Sequence, residues 1–305
     1  MKSHEKTFSL LMSVCFAAAM ATATAAFAQD ASSTGKCSFQ RLKFPASAIS
    51  PFPRALNDKG AIVGSFQAGA FPHRNQGFFL FQGKFTSFMF PGSVDTTAND
   101  ISANGIIVGN FSTPGSGHPF MVRGGAFHEI KVPGFTSDTA SVAAAGVNDH
   151  GEVVGSILSA SSPFDVGFLL HNGKVTILSF PGAQEGTDAS SINDEGVIVG
   201  SFSDNQGTHG FMWKAGVFSN VNPPDSVGLS QPKKISNAGD IVGSYTTADG
   251  VEHGFSFDHG KYTKIDAPGV RDTNVLGVNK FDNIVVLGTQ GQTEFEFKGF
   301  CSAVF

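Results

Sequence analysis

A turn followed by an apolar run that closes on glycine recurs six times along the chain. The copies read NDKGAIVGS from Asn57, SANGIIVGN from Ser102, NDHGEVVGS from Asn148, NDEGVIVGS from Asn193 and SNAGDIVGS from Ser236, with a decayed sixth, NKFDNIVVLGT, from Asn279. The closing glycines are Gly64, Gly109, Gly155, Gly200, Gly243 and Gly288, at intervals of 43–46 residues. No other feature constrains the fold as strongly. At such a period each copy is one supersecondary unit, and its apolar face can be buried only by a neighbouring copy.

Further marks recur in each unit. A Gly-Phe pair or a relative of it follows a polar loop: Gly77-Phe78, Pro119-Phe120, Gly167-Phe168, Gly210-Phe211, Gly254-Phe255 and the weaker Glu294-Phe295. A turn glycine comes next, at Gly83, Gly124, Gly173, Gly216, Gly260 and Gly299, and Pro-Gly closes most units, at Pro91, Pro133, Pro181 and Pro268, with Pro223-Pro224 as the variant. Short runs rich in Val, Ile, Phe and Thr lie between these turns without helical period, so one unit reads as four strands. In the second copy the strands are expected at about 97–102, 106–111, 119–122 and 126–132. Asn-Asp-x-Gly is the hairpin turn between the first two, because Asx side chains bond their own backbone and Gly takes the positive φ. The glycine inside the second strand marks a bulge or a close backbone approach. The Phe of each Gly-Phe pair is expected in the core.

Four strands in about 45 residues make the blade of a β-propeller. The sequence therefore predicts an all-β fold, a six-bladed β-propeller of four-stranded blades, with 37–305 as a single domain of six repeats. The competing architecture, an open β-solenoid, has shorter coils and needs caps. The segment GKCSFQRLKFPA from Gly35 reads as a fourth strand with no first three before it. It is expected to complete or extend the last blade, whose own end reads GFCSAVF from Gly299. Cys37 and Cys301 each lie two residues past a glycine of these segments, and a disulfide between them is expected.

The chain opens with Lys2 and Lys6, an apolar run over 8–20, and Ala26-Phe27-Ala28 as a small-x-small site. This pattern predicts a signal peptide over 1–28, cleaved after Ala28, followed by a short flexible N-terminus over 29–36. The apolar run is too short for a membrane anchor, and no later segment could span a bilayer as a helix. The expected location is secreted or periplasmic, where a disulfide persists. Charged residues make up only 15% of the chain and the net charge is −5, which gives no electrostatic reason to bind nucleic acid. A monomer is expected.

The phrase INDEGVIVGSF from Ile192, then His209-Gly210-Phe211 and His253-Gly254-Phe255, each with its Gly turn, and the recurring Pro-Gly resemble the bacterial extracellular HAF repeats. The resemblance covers 37–305. The histidine is present only as His118, His209 and His253, so the chain is identified as a divergent member. The resemblance implies an exported, repeat-built bacterial protein and carries no catalytic residues with it.

No P-loop, His-Glu-x-x-His, Cys-x-x-Cys, complete EF-hand loop or Gly-x-Ser-x-Gly phrase occurs. Three histidines at one repeat position could ring a metal. Gln76 and Val166 occupy that position elsewhere, which suits a structural role better, each histidine donating to a backbone carbonyl; no metal or cofactor is expected. The loops after Pro-Gly carry acids at similar places: Asp95, Asp138, Glu185 with Asp188, Asp225 and Asp272. In a propeller these loops share a rim with the loops between second and third strands, where Arg74, Asp204, Asn205 and Asp249 lie. Carboxylates around that rim could bind a cation, a sugar or a basic peptide, or could simply shape each loop. Asp95, Asp138, Asp188, Asp225 and Asp272 are the expected ligand contacts. The expected function is a secreted binding or scaffold module for a glycan, peptide or cell-envelope partner rather than an enzyme. The alternative is a propeller-type polysaccharide hydrolase or lyase, which needs two acids from different blades about 5–10 Å apart in one pocket.

Overall fold

The computed structural model describes residues 33–34, 37–69, 73–137 and 139–302; the expected signal peptide and its cleavage site lie outside them. Two strands, β1 (Ser33–Thr34) and β2 (Cys37–Arg41), precede a ring of six antiparallel sheets. Blade 1 comprises β3 (Ile49–Leu56), β4 (Ile62–Ala68), β5 (Arg74–Phe81) and β6 (Lys84–Phe88). Blade 2 comprises β7 (Asp95–Ile101), β8 (Ile107–Thr113), β9 (Ser116–Arg123) and β10 (Ala126–Glu129). Blade 3 comprises β11 (Ala140–Val147), β12 (Val153–Ser159), β13 (Val166–His171) and β14 (Lys174–Leu178). Blade 4 comprises β15 (Gly186–Ile192), β16 (Ile198–Asp204), β17 (Gly207–Lys214) and β18 (Val217–Asn220). Blade 5 comprises β19 (Ser230–Ile235), β20 (Ile241–Thr246), β21 (Glu252–Asp258) and β22 (Lys261–Ile265). Blade 6 takes β23 (Asp272–Val278), β24 (Asn283–Gln290) and β25 (Thr293–Cys301), with β2 as its fourth strand. No helix among the described residues is long and apolar enough to cross a membrane.

The molecule is thus the six-bladed propeller expected. In the second copy the third strand starts earlier than expected, at Ser116, and the fourth ends earlier, at Glu129. The recurrent Phe is the pivot of each core: Phe78, Phe120, Phe168, Phe211 and Phe255 are all essentially buried. Its position across from the second-strand glycine explains that glycine. In blade 2, Gly109 pairs with Phe120 on one side and with Ala98 on the other, beside a bulge in β7 between Ala98 and Asp100. A Cβ on Gly109 would sit 1.9 Å from the Thr97 carbonyl oxygen, so only glycine fits.

Blade 6 corrects the sequence reading. There Val286 pairs with Phe297, and the β23 bulge lies opposite Val286. Val286 and Phe297, not Gly288 and Phe295, are therefore the counterparts of Gly109 and Phe120, and Phe297 is buried. Gly299 is no turn either. It lies inside β25, paired with Phe39 of β2.

β2 closes the ring. Cys37 pairs in register with Cys301, and the two form the expected disulfide. The Asn-Asp-x-Gly turns add a second belt. Asn148 Nδ2 donates to the Asn193 carbonyl at 3.1 Å, and Asn279 Nδ2 to the Asn57 carbonyl at 3.0 Å, carrying the belt from blade 6 to blade 1.

Candidate functional site

The first strand of every blade is the free edge of its sheet, and these six edges surround the ring axis. Each carries a bulge opposite the middle of its second strand, which adds a residue without a partner and re-aims the side chains around it, and β3 has a second irregularity between Ile49 and Phe52. The extra residues are Arg54, Asn99, Ala145, Ser190, Lys233 and Leu276. Arg54 and Lys233 stand on blades 1 and 5, which are not neighbours, yet the charge of Arg54 reaches Lys233. Both lie on the channel side of the ring.

One residue further along, Asp100 and Lys234 face each other from blades 2 and 5, which are diametrically opposed. Their side chains, 2% and 10% exposed, form an ion pair across the axis. Asp100 is further held by the Ile101 and Val147 amides, at 2.8 and 2.9 Å. Charge, direction and these donors compensate its burial. Beyond the pair, Leu56, Ile101, Val147 and Val278 and then the turn residues line a small cavity on the opposite face. The ion pair therefore floors the rim side of the channel, with that cavity beneath it.

Above the floor lie Arg54 and Lys233, and above these Asp188, Gln231, Asn274 and Phe52. Lys233 Nζ donates to Gln231 Oε1 at 2.8 Å, and the Arg54 guanidinium lies over the Phe52 ring with Cζ 4.8 Å from its centroid. Burial pushes both cations below their ordinary pKa; Glu252 and Asp188 act against this on Lys233. Neither cation has a carboxylate in ion-pair contact among the described residues. Arg54 Nε and Asn274 Oδ1 are buried with no hydrogen-bond partner. Asn274 Nδ2 donates to Glu252 Oε1 at 3.2 Å. Asp188 is open to channel water but ringed by protein. Desolvation first, then the charge of Asp165, raises its pKa, against a hydrogen bond from Ser156 and the charge of Lys233.

The five expected ligand residues do not form one site. Asp188 alone belongs to the channel set. Asp95 Oδ1 accepts the Asn75 amide at 2.7 Å, and Asp272 Oδ1 accepts the Glu252 amide at 3.0 Å. Each carboxylate thus ties the start of its blade to the third strand of the preceding one, and the threonine after it, Thr96 or Thr273, accepts an amide of the Pro-Gly loop at 3.0 Å. Asp225 accepts the Tyr245 hydroxyl at 3.3 Å in a separate cleft on blade 5, lined also by Pro223, Pro224, Tyr262 and Lys264. Asp138 lies outside the described residues.

The three histidines do not converge. His118, His209 and His253 lie on third strands and meet Glu129, Asp204 and Asp266 at 3.1, 3.1 and 2.8 Å. The expected backbone carbonyl is replaced by a carboxylate of the same blade, because the histidine stacks on a second-strand aromatic such as Phe111 and its ring nitrogens reach the blade's own acid.

Arg54 and Lys233 were missed because they sit in a column of the repeat where no residue recurs, three positions before the Asn-Asp-x-Gly turn. One signal was present. The next column holds Asp100 in copy two and Lys234 in copy five, opposite charges three blades apart.

No family model matches the chain, and no curated protein matches it in sequence. Solved structures match its fold. The β-propeller domain of the Trilobed protease from Pyrococcus furiosus is 9% identical with a TM-score of 0.51, over 84% of this chain and 94% of that one. A gluconolactonase from Xanthomonas campestris is 12% identical with a TM-score of 0.54, over 88% and 90%. The Aleuria aurantia lectin is 10% identical with a TM-score of 0.52, over 83% and 93%. At these identities the likeness is one of fold: the chain is a β-propeller like them.

Proposed function

We propose that the protein is an exported bacterial binding or scaffold module of the HAF-repeat type, which takes a glycan, peptide or cell-envelope partner at the rim-side mouth of its axial channel. The observation that carries this reading is the pair of desolvated cations, Arg54 and Lys233, neither in ion-pair contact with a carboxylate, on first strands that line the channel. A buried charge without a partner costs stability, and such a cost persists where a ligand repays it. The disulfide is compatible with an oxidising compartment outside the cytoplasm. A screen of the mature chain against glycans, peptides and envelope components tests the reading. Hits should weaken in Arg54→Gln. Hits that ignore every channel substitution would place the site elsewhere.

One observation keeps the hydrolase or lyase reading in play. Asp188 of blade 4 has a raised pKa and feels Asp165 from the loop before β13 of blade 3, so two acids from different blades lie near the mouth. Polysaccharide turnover abolished by Asp188→Asn would move the protein into that class.

A further inference from the structure

Around the channel mouth, the first strands of blades 4, 5, 6 and 1, consecutive in the ring, carry unmatched donors and unmatched acceptors. On the donor side are Arg54 Nε, buried and without an acceptor, and the Lys233 ammonium, whose hydrogen bond is to the neutral Gln231 amide. On the acceptor side are Asn274 Oδ1, also buried and unmatched, and the Asp188 carboxylate, open to the channel. A ligand that completes this set presents an anionic acceptor to the first pair and hydroxyl hydrogens to the second.

We propose that the channel mouth binds a hydroxylated monocarboxylate of the hexuronate class, with Arg54 and Lys233 on its carboxylate and Asp188 and Asn274 on its hydroxyls. The proposal rests on the channel being the binding site. A guanidinium edge matches the planar, two-oxygen acceptor of a carboxylate, and the Phe52 ring beneath Arg54 fixes the plane of that edge. Charge selects a monoanion. Asp188 and Glu252 already lie within electrostatic reach of Lys233, so a dianion such as a phosphate monoester would be repelled where a single carboxylate is accommodated. The Asp100–Lys234 floor limits depth, so a single sugar unit or the end of a chain enters and a chain does not thread through.

The test is calorimetric titration of the mature protein with D-glucuronate, D-glucose, acetate and a short oligoglucuronate. Glucose differs from glucuronate only in carrying a hydroxymethyl group for the carboxylate, and acetate keeps the carboxylate without the hydroxyls. Glucuronate is expected to bind, with glucose and acetate each at least about tenfold weaker. Arg54→Gln and Lys233→Gln should each weaken glucuronate by more than about tenfold. Their melting temperatures should be unchanged or higher, because a desolvated charge with no carboxylate in contact is removed; a merely structural residue would show the opposite. An oligomer that binds more tightly than the monomer makes a chain end the natural form, and equal affinity makes it the free sugar acid. If glucose binds as well as glucuronate and the channel substitutions still matter, the ligand class is wrong and the site is right. If glucuronate does not bind at millimolar concentration, or binds unaffected by Arg54→Gln, the proposal is overturned; in the second case the channel site falls with it.

Discussion

Asp188 and Asp95 carry the same carboxylate, and their surroundings give them opposite tasks. Asp95 accepts a backbone amide and the Ser112 hydroxyl and holds a blade junction. Asp188 faces channel water beside another acid, and its folded-state pKa is raised mainly by desolvation. The sign follows from linkage. A group with a raised folded pKa binds its proton more readily in the folded chain, so its contribution to stability is full at acid pH and is lost as pH rises through the folded pKa. Asp188→Asn, permanently neutral, should therefore raise the melting temperature at pH 7. Because channel water screens the charge, the gain should not exceed about 2–4 °C. It should vanish as pH falls to the ordinary carboxylate range near about 4. Calorimetric scans of both proteins across that range check this, and a gain that grows toward acid pH would contradict it.

The second strand of each blade is built around one close approach. In Gly109→Ala the new methyl meets the Thr97 carbonyl, a backbone atom that cannot rotate away. A loss of about 1–3 kcal/mol is expected, the usual cost of overpacking, read as a lower denaturant midpoint. Elements of this kind were legible in the sequence because every blade needs the same turn, glycine and Phe, so repetition displays them. Where one copy decayed, legibility failed locally. Gly288 stands two residues past the true register, and only the pairing of Val286 with Phe297 reveals it. Of the candidate site, only Asp188 was legible. Acids that repeat at the rim, such as Asp95 and Asp272, repeat because the junction needs them. Arg54 and Lys233 do not repeat, and no local pattern announces that two bulges on separate blades turn their side chains toward one axis.

At the scale of the ring, the Asp100–Lys234 pair joins opposite blades through their side chains. Lys234→Met leaves Asp100 buried without its counter-ion and should cost about 3–5 kcal/mol in equilibrium unfolding. Replacing both, as Asp100→Leu with Lys234→Met, should recover much of that loss, since two apolar groups need no compensation; a double variant as weak as the single one would show that the pair does more than cancel charge. The closure of blade 6 has a different consequence. β2 brings residue 37 beside residue 301, and a sulfur bridge joins them. From Cys37 to Cys301 the chain is a covalent circle, and a circle has no privileged starting point. One cut in a loop between any two blades leaves a single continuous molecule in which every blade still has both neighbours, so the junction of blades 6 and 1 is no weaker a seam than the other five.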